Sequence, residues 1–287
     1  MWNDMTRPKL NSVSLTPHRA NAPVGRFVGA WVYCPAVMRT FRLTLSYDGA
    51  AYAGWQVQAN ARTIQAELEA ALQQVTGEKI RAVASGRTDA GVHALGQVVS
   101  FSSDTRLPTD VLRKALDANL PRDIVVRDVC EAPAGFHAIR DALRKRYRYV
   151  VQDGPVRDVF SRAYAWQFPQ RLDVEAMQAA AAVLEGRHDF ASFEAAGSPR
   201  ASSVRTIYEL SVERRAGDFL DRIVFEVEAD GFLYKMVRNL VGSLVDVGRG
   251  RQSPAWIAEV LAARNRKLAG MTAPPQGLFL VTVEYGW

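Results

Sequence analysis

The sequence predicts an α+β fold made of two units, each with the element order β-α-β-β-α-β. Two observations predict it. Short segments in which apolar and polar residues alternate are typical of half-buried strands, and they are separated by segments in which apolar residues recur every three or four positions, as in amphipathic helices. The same order of segments occurs in both halves of the 287-residue chain.

The first half supplies the elements in that order. Phe41, Leu43 and Leu45 alternate with polar residues, which predicts a strand. Thr63 can cap a following helix, which Gly77 would end. Four apolar residues share one face of this helix: Ile64, Leu68, Leu72 and Val75. The remaining elements of this half are predicted as strands at 80–85 and 97–101, a helix at about 109–118 and a strand at about 124–129.

The second half repeats the order from a junction near Arg144. Its elements are predicted as a strand at 146–151, a helix at 173–184, strands at 205–213 and 219–228, helices at 232–247 and 254–263, and a strand at 278–285. This order predicts two ferredoxin-like units, residues 38–143 and 144–287, whose sheets flank a central cleft. We expect the active or binding site in that cleft.

Residues 1–37 differ from the rest of the chain. They are rich in Pro, Asn, Ser and Thr and have no sustained period, and Met38 comes directly before the first strand. A disordered extension or a start-site overcall is therefore the preferred interpretation. A signal peptide is an alternative, although Pro35 interrupts its apolar stretch, and one acid among several cations also fits a transit peptide.

The composition limits the class of protein. The chain is 48% hydrophobic and 23% charged, which is typical of a soluble globular protein. Two cysteines, Cys34 and Cys130, are too few for a disulfide framework or a zinc site and indicate a reducing, cytoplasmic compartment. No apolar run has the length of a membrane span. Residues 1–37, with four cations and one acid, account for +3 of the net charge of +6, so the remainder is only mildly basic.

Cations are concentrated between residues 140 and 148. Five of them, Arg140, Arg144, Lys145, Arg146 and Arg148, stand against the single Asp141, and Tyr147 and Tyr149 are interleaved. Cations reach phosphates and aromatic faces stack on bases, so the segment is a candidate RNA surface. A solvated strand edge protected by charge is an equally good interpretation of these residues alone.

Asp89 is the candidate reactive group. It lies in the segment Gly86-Arg87-Thr88-Asp89-Ala90-Gly91-Val92-His93-Ala94, which connects two predicted strands. Functional groups concentrate on loops held by a rigid scaffold, and Gly86 and Gly91 permit a close approach of other backbone or of a ligand. An ordinary hairpin loop with a turn-forming Asp is the alternative.

The segment 86–94 resembles the catalytic motif of the TruA family of tRNA pseudouridine synthases, in which this Asp is the nucleophile. The resemblance covers roughly residues 41–286 and extends to further segments in the order that the family shows. They are Tyr47-Asp48-Gly49, Tyr52, Gly54-Trp55-Gln56, Gln58, Gln65, Leu68 and Glu69, Phe136-His137-Ala138, Arg146-Tyr147-Arg148-Tyr149, His188-Asp189-Phe190, Ser192-Phe193, Arg205-Thr206-Ile207, Gly231-Phe232-Leu233, Met236-Val237-Arg238-Asn239, Gly242 and Gly277-Leu278. In one departure, Ile139 stands where the family usually has Arg, and Arg140 follows it.

The resemblance implies a pseudouridine synthase fold with an RNA-binding cleft, and an enzyme that isomerises uridine in the anticodon stem-loop of tRNA at conventional positions 38, 39 and 40. It also implies a homodimer. Because the reaction is redox-neutral and a nucleophile is sufficient for it, we expect no cofactor and no metal. Two other classes stay open as alternatives. One is a non-catalytic RNA-binding module, and the other is an aspartyl phosphotransferase, which Gly91 disfavours because such enzymes usually carry a second carboxylate at that spacing.

Three residues are candidate partners of Asp89. The family implies that Tyr147 holds the flipped uridine, whereas an unplaced Tyr would more often pack in the core. Arg238 stands in the apolar run 236–247 and must find an anion or reach water, so pairing with Asp89 would keep that carboxylate ionised and oriented. Arg87 can reach a phosphate, fill the space left by the flipped base, or be a surface charge. His93, His137 and His188 are expected to pack or to contact RNA rather than to act as bases.

Overall fold

Ten strands form one mixed sheet in the part of the chain that the structure, a computed structural model, describes, namely residues 38–197, 202–217 and 219–287. The strands are β1 (Arg39–Tyr47), β2 (Val83–Ala84), β3 (His93–Ser103), β4 (Ile124–Ala132), β5 (Ala142–Asp153), β6 (Trp166–Phe168), β7 (Gly186–Asp189), β8 (Val204–Arg215), β9 (Arg222–Ala229) and β10 (Leu278–Tyr285). Their main order across the sheet is β4-β1-β3-β10-β5-β9-β8-β7, with β2 beside β3 and β6 beside β5.

Five α-helices accompany the sheet within the same residues. They are α1 (Ile64–Thr76), α2 (Thr109–Asn119), α3 (Val174–Ala181), α4 (Met236–Gly248) and α5 (Trp256–Ala263). Short 3₁₀ turns occupy Ala182–Leu184, Ala191–Phe193, Arg266–Leu268 and Pro275–Gly277. The predicted α+β class is confirmed. The predicted N-terminal extension, residues 1–37, lies outside the described residues, and its interpretation stays a prediction.

Strand β10 joins the two halves of the sheet. Leu280 pairs with Tyr147 of β5 on one side and with Ala94 of β3 on the other. The sequence predicts two sheets flanking a cleft, whereas the structure has a single sheet. Without β3, one side of β10 would expose unpaired backbone N–H and C=O groups. Strand β3 pairs with β2 over two residues only, and its start is therefore available to pair with β10. The ferredoxin-like description of each half, and the boundary near Arg144, stay predictions.

The first helix shows that local sequence signals hold here. Thr63 accepts a hydrogen bond from the Ala66 N–H at 3.4 Å, and Gly77 ends α1 in the left-handed conformation with φ of 80°. Its apolar face belongs to one buried core with the inward residues of β1: Ile64, Leu68 and Leu72 from α1, and Phe41, Leu43 and Leu45 from β1. This helix therefore fixes one side of the sheet beside the Asp89 segment.

Some predicted elements are shorter than expected, for local reasons. The strand predicted at 80–85 is reduced to β2 because the Ala82 backbone bonds to α1 side chains instead, accepting from Gln65 at 3.1 Å and donating to Glu69 at 3.0 Å. Helix α4 starts at Met236 rather than at 232, since Lys235 has a φ of 58°, which no right-handed helix contains. The short strands β6 and β7 were not predicted.

Candidate active site

The Asp89 loop, which we define as residues 86–91, connects β2 to the start of β3, beside the junction with β10. Gly91 has a φ of 76°, and a Cβ on it would stand 3.1 Å from Pro275, which lies just before β10. The glycine therefore serves the close approach that the sequence predicts for it. The loop lies where the strands of the two halves meet.

The segment from Tyr47 to Trp55 packs against this loop. The Trp55 N–H donates to the Thr88 carbonyl at 3.0 Å. Gly54 has a φ of 94°, and a Cβ there would stand 2.6 Å from that same Thr88 oxygen. The motif residues that carry the family resemblance in this segment thus hold the backbone immediately before Asp89.

Arg238 lies against Asp89. Its Nη1 donates to Asp89 Oδ2 at 2.7 Å, and its Nε donates to the Ala273 carbonyl at 2.7 Å. The Arg238 side chain is 11% exposed and that of Asp89 is 22% exposed, so the pair is largely shielded and still open to solvent on one side. In the described part of the chain, Asp89 Oδ1 has no hydrogen-bond partner. One carboxylate oxygen is therefore fixed by a cation and the other is free.

Tyr147, on strand β5, is near enough to Asp89 for the carboxylate charge to act on it. Its ring packs edge-on against Phe232 at 5.0 Å between centroids. Burial raises the pKa of Tyr147 above its usual value of 10.0, and the nearby Tyr47 and Asp89 raise it further, so the phenol is neutral at physiological pH. Its hydroxyl bonds to no other described residue. The structure thus brings together Asp89 and two of its three candidate partners, Arg238 and Tyr147, while the roles of all three stay predictions.

Arg87 is placed differently. It is exposed on the Asp89 loop, two residues before the carboxylate, and within the described ranges it makes no ion pair or hydrogen bond. Its guanidinium lies at the rim of the site and is available to a phosphate or a base. None of the three interpretations of Arg87 from the sequence is excluded by this position.

The cations of residues 140–148 do not form an open basic surface. Arg146 bonds to Glu209 and Glu228 at 2.8 Å, Arg148 bonds to Glu226 at 2.6 Å, and Arg144 bonds to Glu228 at 3.1 Å. Lys145 donates to the Ser85 carbonyl at 2.6 Å, and Arg140 pairs with Asp141.

The strand-edge interpretation is wrong, because β5 is an internal strand with β10 and β9 on its two sides. Successive side chains of a strand point to opposite faces, so Arg146 and Arg148 lie on the face opposite to Tyr147 and Tyr149. Arg146 and Arg148 therefore do not share a face of the sheet with the two tyrosines, whereas Lys145 does.

The histidines have structural surroundings. His93 is buried, its Nδ1 lies 3.0 Å from Asp48 and accepts from the Gly49 N–H, and its Nε2 lies 3.1 Å from the Ala163 carbonyl. Burial lowers the pKa of His93 below its usual 6.5, against the opposite effect of Asp48. His137 accepts from backbone N–H groups of its own turn, and His188 contacts the Glu185 carbonyl. None of these side chains contacts Asp89.

The departure at Ile139 has a simple local structure. Ile139 is exposed, and the adjacent Arg140 donates to Asp141 at 2.9 Å and to the Gly135 carbonyl at 2.7 Å. Arg140 is therefore engaged in its own turn.

Asp89 does not line either of two depressions of about 550 and 290 Å³ in the described structure. The larger is lined by Gln152, Asp158, Trp166 and Gln276 among others. Across residues 38–197, 202–217 and 219–287, no helix is both long and apolar enough to cross a bilayer.

Sequence reasoning missed one group of site residues. Tyr47, Ser85, Thr88 and Gln97 are buried polar residues that hydrogen-bond to one another beneath the Asp89 loop. A signal for Gln97 exists in the sequence, since it stands two and four residues before Val99 and Phe101 on the buried face of β3. An uncharged polar residue at such a position must find hydrogen-bond partners inside the protein.

Comparison with known proteins gives the family. A family described as tRNA pseudouridine synthase matches residues 44–140 and 180–286. A tRNA pseudouridine synthase A of Moorella thermoacetica is 52% identical over 86% of this chain and 100% of its own length. Proteins of the same name from Brevibacillus brevis and Myxococcus xanthus are 48% and 47% identical over 86% of this chain and over 100% and 92% of their own lengths. The predicted resemblance is confirmed: the chain belongs to the tRNA pseudouridine synthase family, as a TruA-type isomerase that converts uridine to pseudouridine.

Proposed function

We propose that the chain isomerises uridines of the anticodon stem-loop of tRNA, at conventional positions 38, 39 and 40, with Asp89 as the nucleophile. The observation that carries the proposal is the asymmetric carboxylate, in which Arg238 binds Oδ2 at 2.7 Å while Oδ1 is free of protein partners in the described residues. An ionised carboxylate with one oxygen fixed and the other open is a preorganised nucleophile. The stem-loop and the three positions follow from the family resemblance.

The reaction needs nothing beyond such a nucleophile and a means of moving protons. The N1–C1′ bond breaks, the base turns while it stays bound, and a C5–C1′ bond forms. The proton on C5 is released and N1 gains one, so that atoms balance and no electrons are transferred. Attack of Oδ1 on C1′ and attack on the base both satisfy this balance. In either case Arg238 holds the carboxylate in place before the attack.

The substrate must present its uridine outside the stacked helix, because the target atoms are inaccessible within it. Tyr147 supplies a ring fixed by Phe232 beside Asp89, with a neutral hydroxyl that no described residue occupies. We assign it to the flipped uracil. Arg87, exposed at the rim, is assigned to a phosphate next to the flipped nucleotide or to the space that the base leaves.

The decisive experiment replaces the nucleophile. Asp89→Asn retains the shape of the side chain and an oxygen that can accept from Arg238, but an amide is not a nucleophile. We expect a folded variant that binds tRNA like the wild type and forms no measurable pseudouridine. Tritium release from C5-labelled uridine in tRNA measures turnover, and filter binding at the same salt measures affinity.

The matched control is Asp110→Asn, which makes the same chemical change on the exposed first turn of α2. It should release tritium at the wild-type rate. Substantial release by the Asp89→Asn variant would remove Asp89 from the nucleophile role.

The proposal includes a cytoplasmic homodimer that grips one tRNA with both subunits, on the strength of the family resemblance. Light scattering of the purified protein should then give about twice the mass of the 31.7 kDa chain. A monomer that modifies tRNA at full rate would contradict the dimer and leave the assignment of Asp89 untouched.

A further inference from the structure

Beneath the Asp89 loop lies a set of buried polar side chains that the proposed chemistry does not use. We call Tyr47, Ser85, Thr88 and Gln97 the loop network. Each is at most 6% exposed, and Ser85 and Gln97 are fully buried. Buried polar groups are costly unless they are hydrogen-bonded, so a connected set of them at one place specifies a geometry.

Gln97 is the centre of this network. Its Oε1 accepts from the Ser85 hydroxyl at 2.7 Å, and its Nε2 donates to the Gly86 carbonyl at 2.9 Å and to the Tyr47 hydroxyl at 3.3 Å. All of its donors and one acceptor lone pair are thereby used. From one position on β3, Gln97 therefore fixes the start of the Asp89 loop.

Tyr47 connects Gln97 to the residue next to Asp89. Its hydroxyl lies 2.8 Å from Thr88 Oγ1. Burial raises the pKa of Tyr47 to about 12, so the hydroxyl keeps its proton at any physiological pH. The link between Gln97 and Thr88 is thus a neutral hydrogen-bonded chain that does not depend on pH near neutrality.

Thr88 is held from two sides. Its side chain bonds to Tyr47 within the network, and its carbonyl accepts from the Trp55 N–H at 3.0 Å. With its side chain and its carbonyl both fixed, the peptide plane that leads into Asp89 has one orientation. Arg238 then fixes the far end of the Asp89 side chain at Oδ2.

We propose that Gln97, Tyr47 and Thr88 are positioning residues, which hold the free Asp89 oxygen at the distance and angle of attack. The inference rests on the proposed role of Asp89. None of the three touches Arg238, so they act on the backbone of the loop and Arg238 acts on the carboxylate. A shift of about 1 Å at a reacting atom lowers the rate by about 100-fold, so small movements of this loop are measurable.

The first test uses two variants of Thr88. Thr88→Val keeps the branched shape and removes the hydroxyl, whereas Thr88→Ser keeps the hydroxyl and removes a methyl group. We expect Thr88→Val to lower kcat by about tenfold to 100-fold with KM and the Kd for tRNA within twofold of the wild type. Thr88→Ser should restore kcat to within about threefold. A merely structural role would lower the melting temperature in both and leave kcat per folded enzyme unchanged.

The second test is a double-mutant cycle. Tyr47→Phe removes the other partner of the same hydrogen bond, so the Tyr47→Phe and Thr88→Val changes combined should cost no more in kcat than the larger single change. Thr76→Val is the matched control, since it makes the same chemical change as Thr88→Val at the end of α1, where the hydroxyl donates to the Leu72 carbonyl at 2.8 Å. Its kcat should equal that of the wild type.

The outcomes separate this inference from the proposed function. Full kcat in both Thr88→Val and Tyr47→Phe, with Asp89→Asn inactive, overturns the positioning role alone. Activity in Asp89→Asn overturns the nucleophile and this inference with it. If Thr88→Val does not fold, Tyr47→Phe decides the question, because it keeps the ring that packs in the core.

Discussion

The Asp89 loop and strand β5 are both polar segments that the sequence presents as functional, and the structure treats them in opposite ways. In the loop, polar groups distant in sequence converge, since Arg238 approaches Asp89 from 149 residues away. In β5, residues adjacent in sequence diverge, because Arg146 and Tyr147 point to opposite faces of the sheet. The Asp89 loop brings its functional groups together at one site. Strand β5 instead places Tyr147 on one face of the sheet and the ion-paired Arg146 and Arg148 on the other.

The difference teaches how charge should be interpreted in a strand. The carboxylates of Glu226 and Glu228 lie opposite Arg148 and Arg146 on the neighbouring strand β9, where cross-strand pairs form. Cations on β5 therefore neutralise acids of the sheet, and the local density of positive charge in the sequence overstates the charge available to RNA. Arg87, on the Asp89 loop, has no cross-strand neighbour and makes no ion pair within the described residues.

The largest effect that sharpens the comparison is expected at Arg238. Arg238→Ala removes the cation from Oδ2 of Asp89, and we expect kcat to fall by about 100-fold to 1000-fold, the size seen when a preorganised electrostatic partner is lost. Single-turnover tritium release measures it, and tRNA affinity should change little. Arg238→Lys keeps the positive charge but cannot bond to Asp89 and to the Ala273 carbonyl with the same geometry. Its rate should therefore lie between that of Arg238→Ala and that of the wild type. A rate for Arg238→Ala within twofold of the wild type would break the comparison.

A smaller effect is expected at Tyr147. Its hydroxyl satisfies no described protein group, so Tyr147→Phe should melt close to the wild type, and any loss of rate reports on the bound state. We expect kcat to fall by at least about tenfold, because the charge of Asp89 acts on this phenol and no described residue takes its hydroxyl. Thermal melting and tritium release on the same sample measure both. Full activity would show that only the ring face matters, and Tyr147→Ala should then be the inactive variant.

The smallest effect distinguishes the two kinds of arginine. Arg87→Ala should weaken tRNA binding by a few-fold near 0.1 M salt and reduce the salt slope by up to about 1, since one phosphate contact is lost. Arg146→Met should leave binding unchanged and lower the free energy of unfolding by at most about 1 kcal/mol, because Glu209 is half exposed and Glu228 keeps Arg144. Filter binding across salt concentrations and urea unfolding measure the two. Weakened binding by Arg146→Met at equal stability would restore β5 as an RNA surface.

The sequence predicted those features that depend on residues within a few positions of one another. Thr63 and Gly77 bound helix α1 as predicted, because a cap is made by groups three or four residues apart. The strand alternation of Phe41, Leu43 and Leu45 is equally local. The motif around Asp89 identified the family, since its glycines and charges are contiguous in the chain.

Other features depend on which elements pack together, and the sequence could not supply them. Lys235 takes a left-handed conformation and shortens α4, although nothing in the neighbouring residues indicates it. Strand β10 pairs with both β3 and β5 and turns two predicted sheets into one. In the sequence, Gln97 only interrupts an apolar strand. Its hydrogen bonds to Tyr47 and Gly86 depend on the packing of β3 against β1 and the Asp89 loop.

What the sequence by itself determined was the α+β class, the family and the identity of the candidate nucleophile. The tertiary structure alone decided that β5 is internal, that its arginines are paired, and that Gln97 and Tyr47 lie beneath the Asp89 loop. The physical reason is range. Periodicity, capping and turn preferences arise from contacts along a few residues of chain, whereas the partner of a charge is selected by packing among elements that are distant in sequence and adjacent in space.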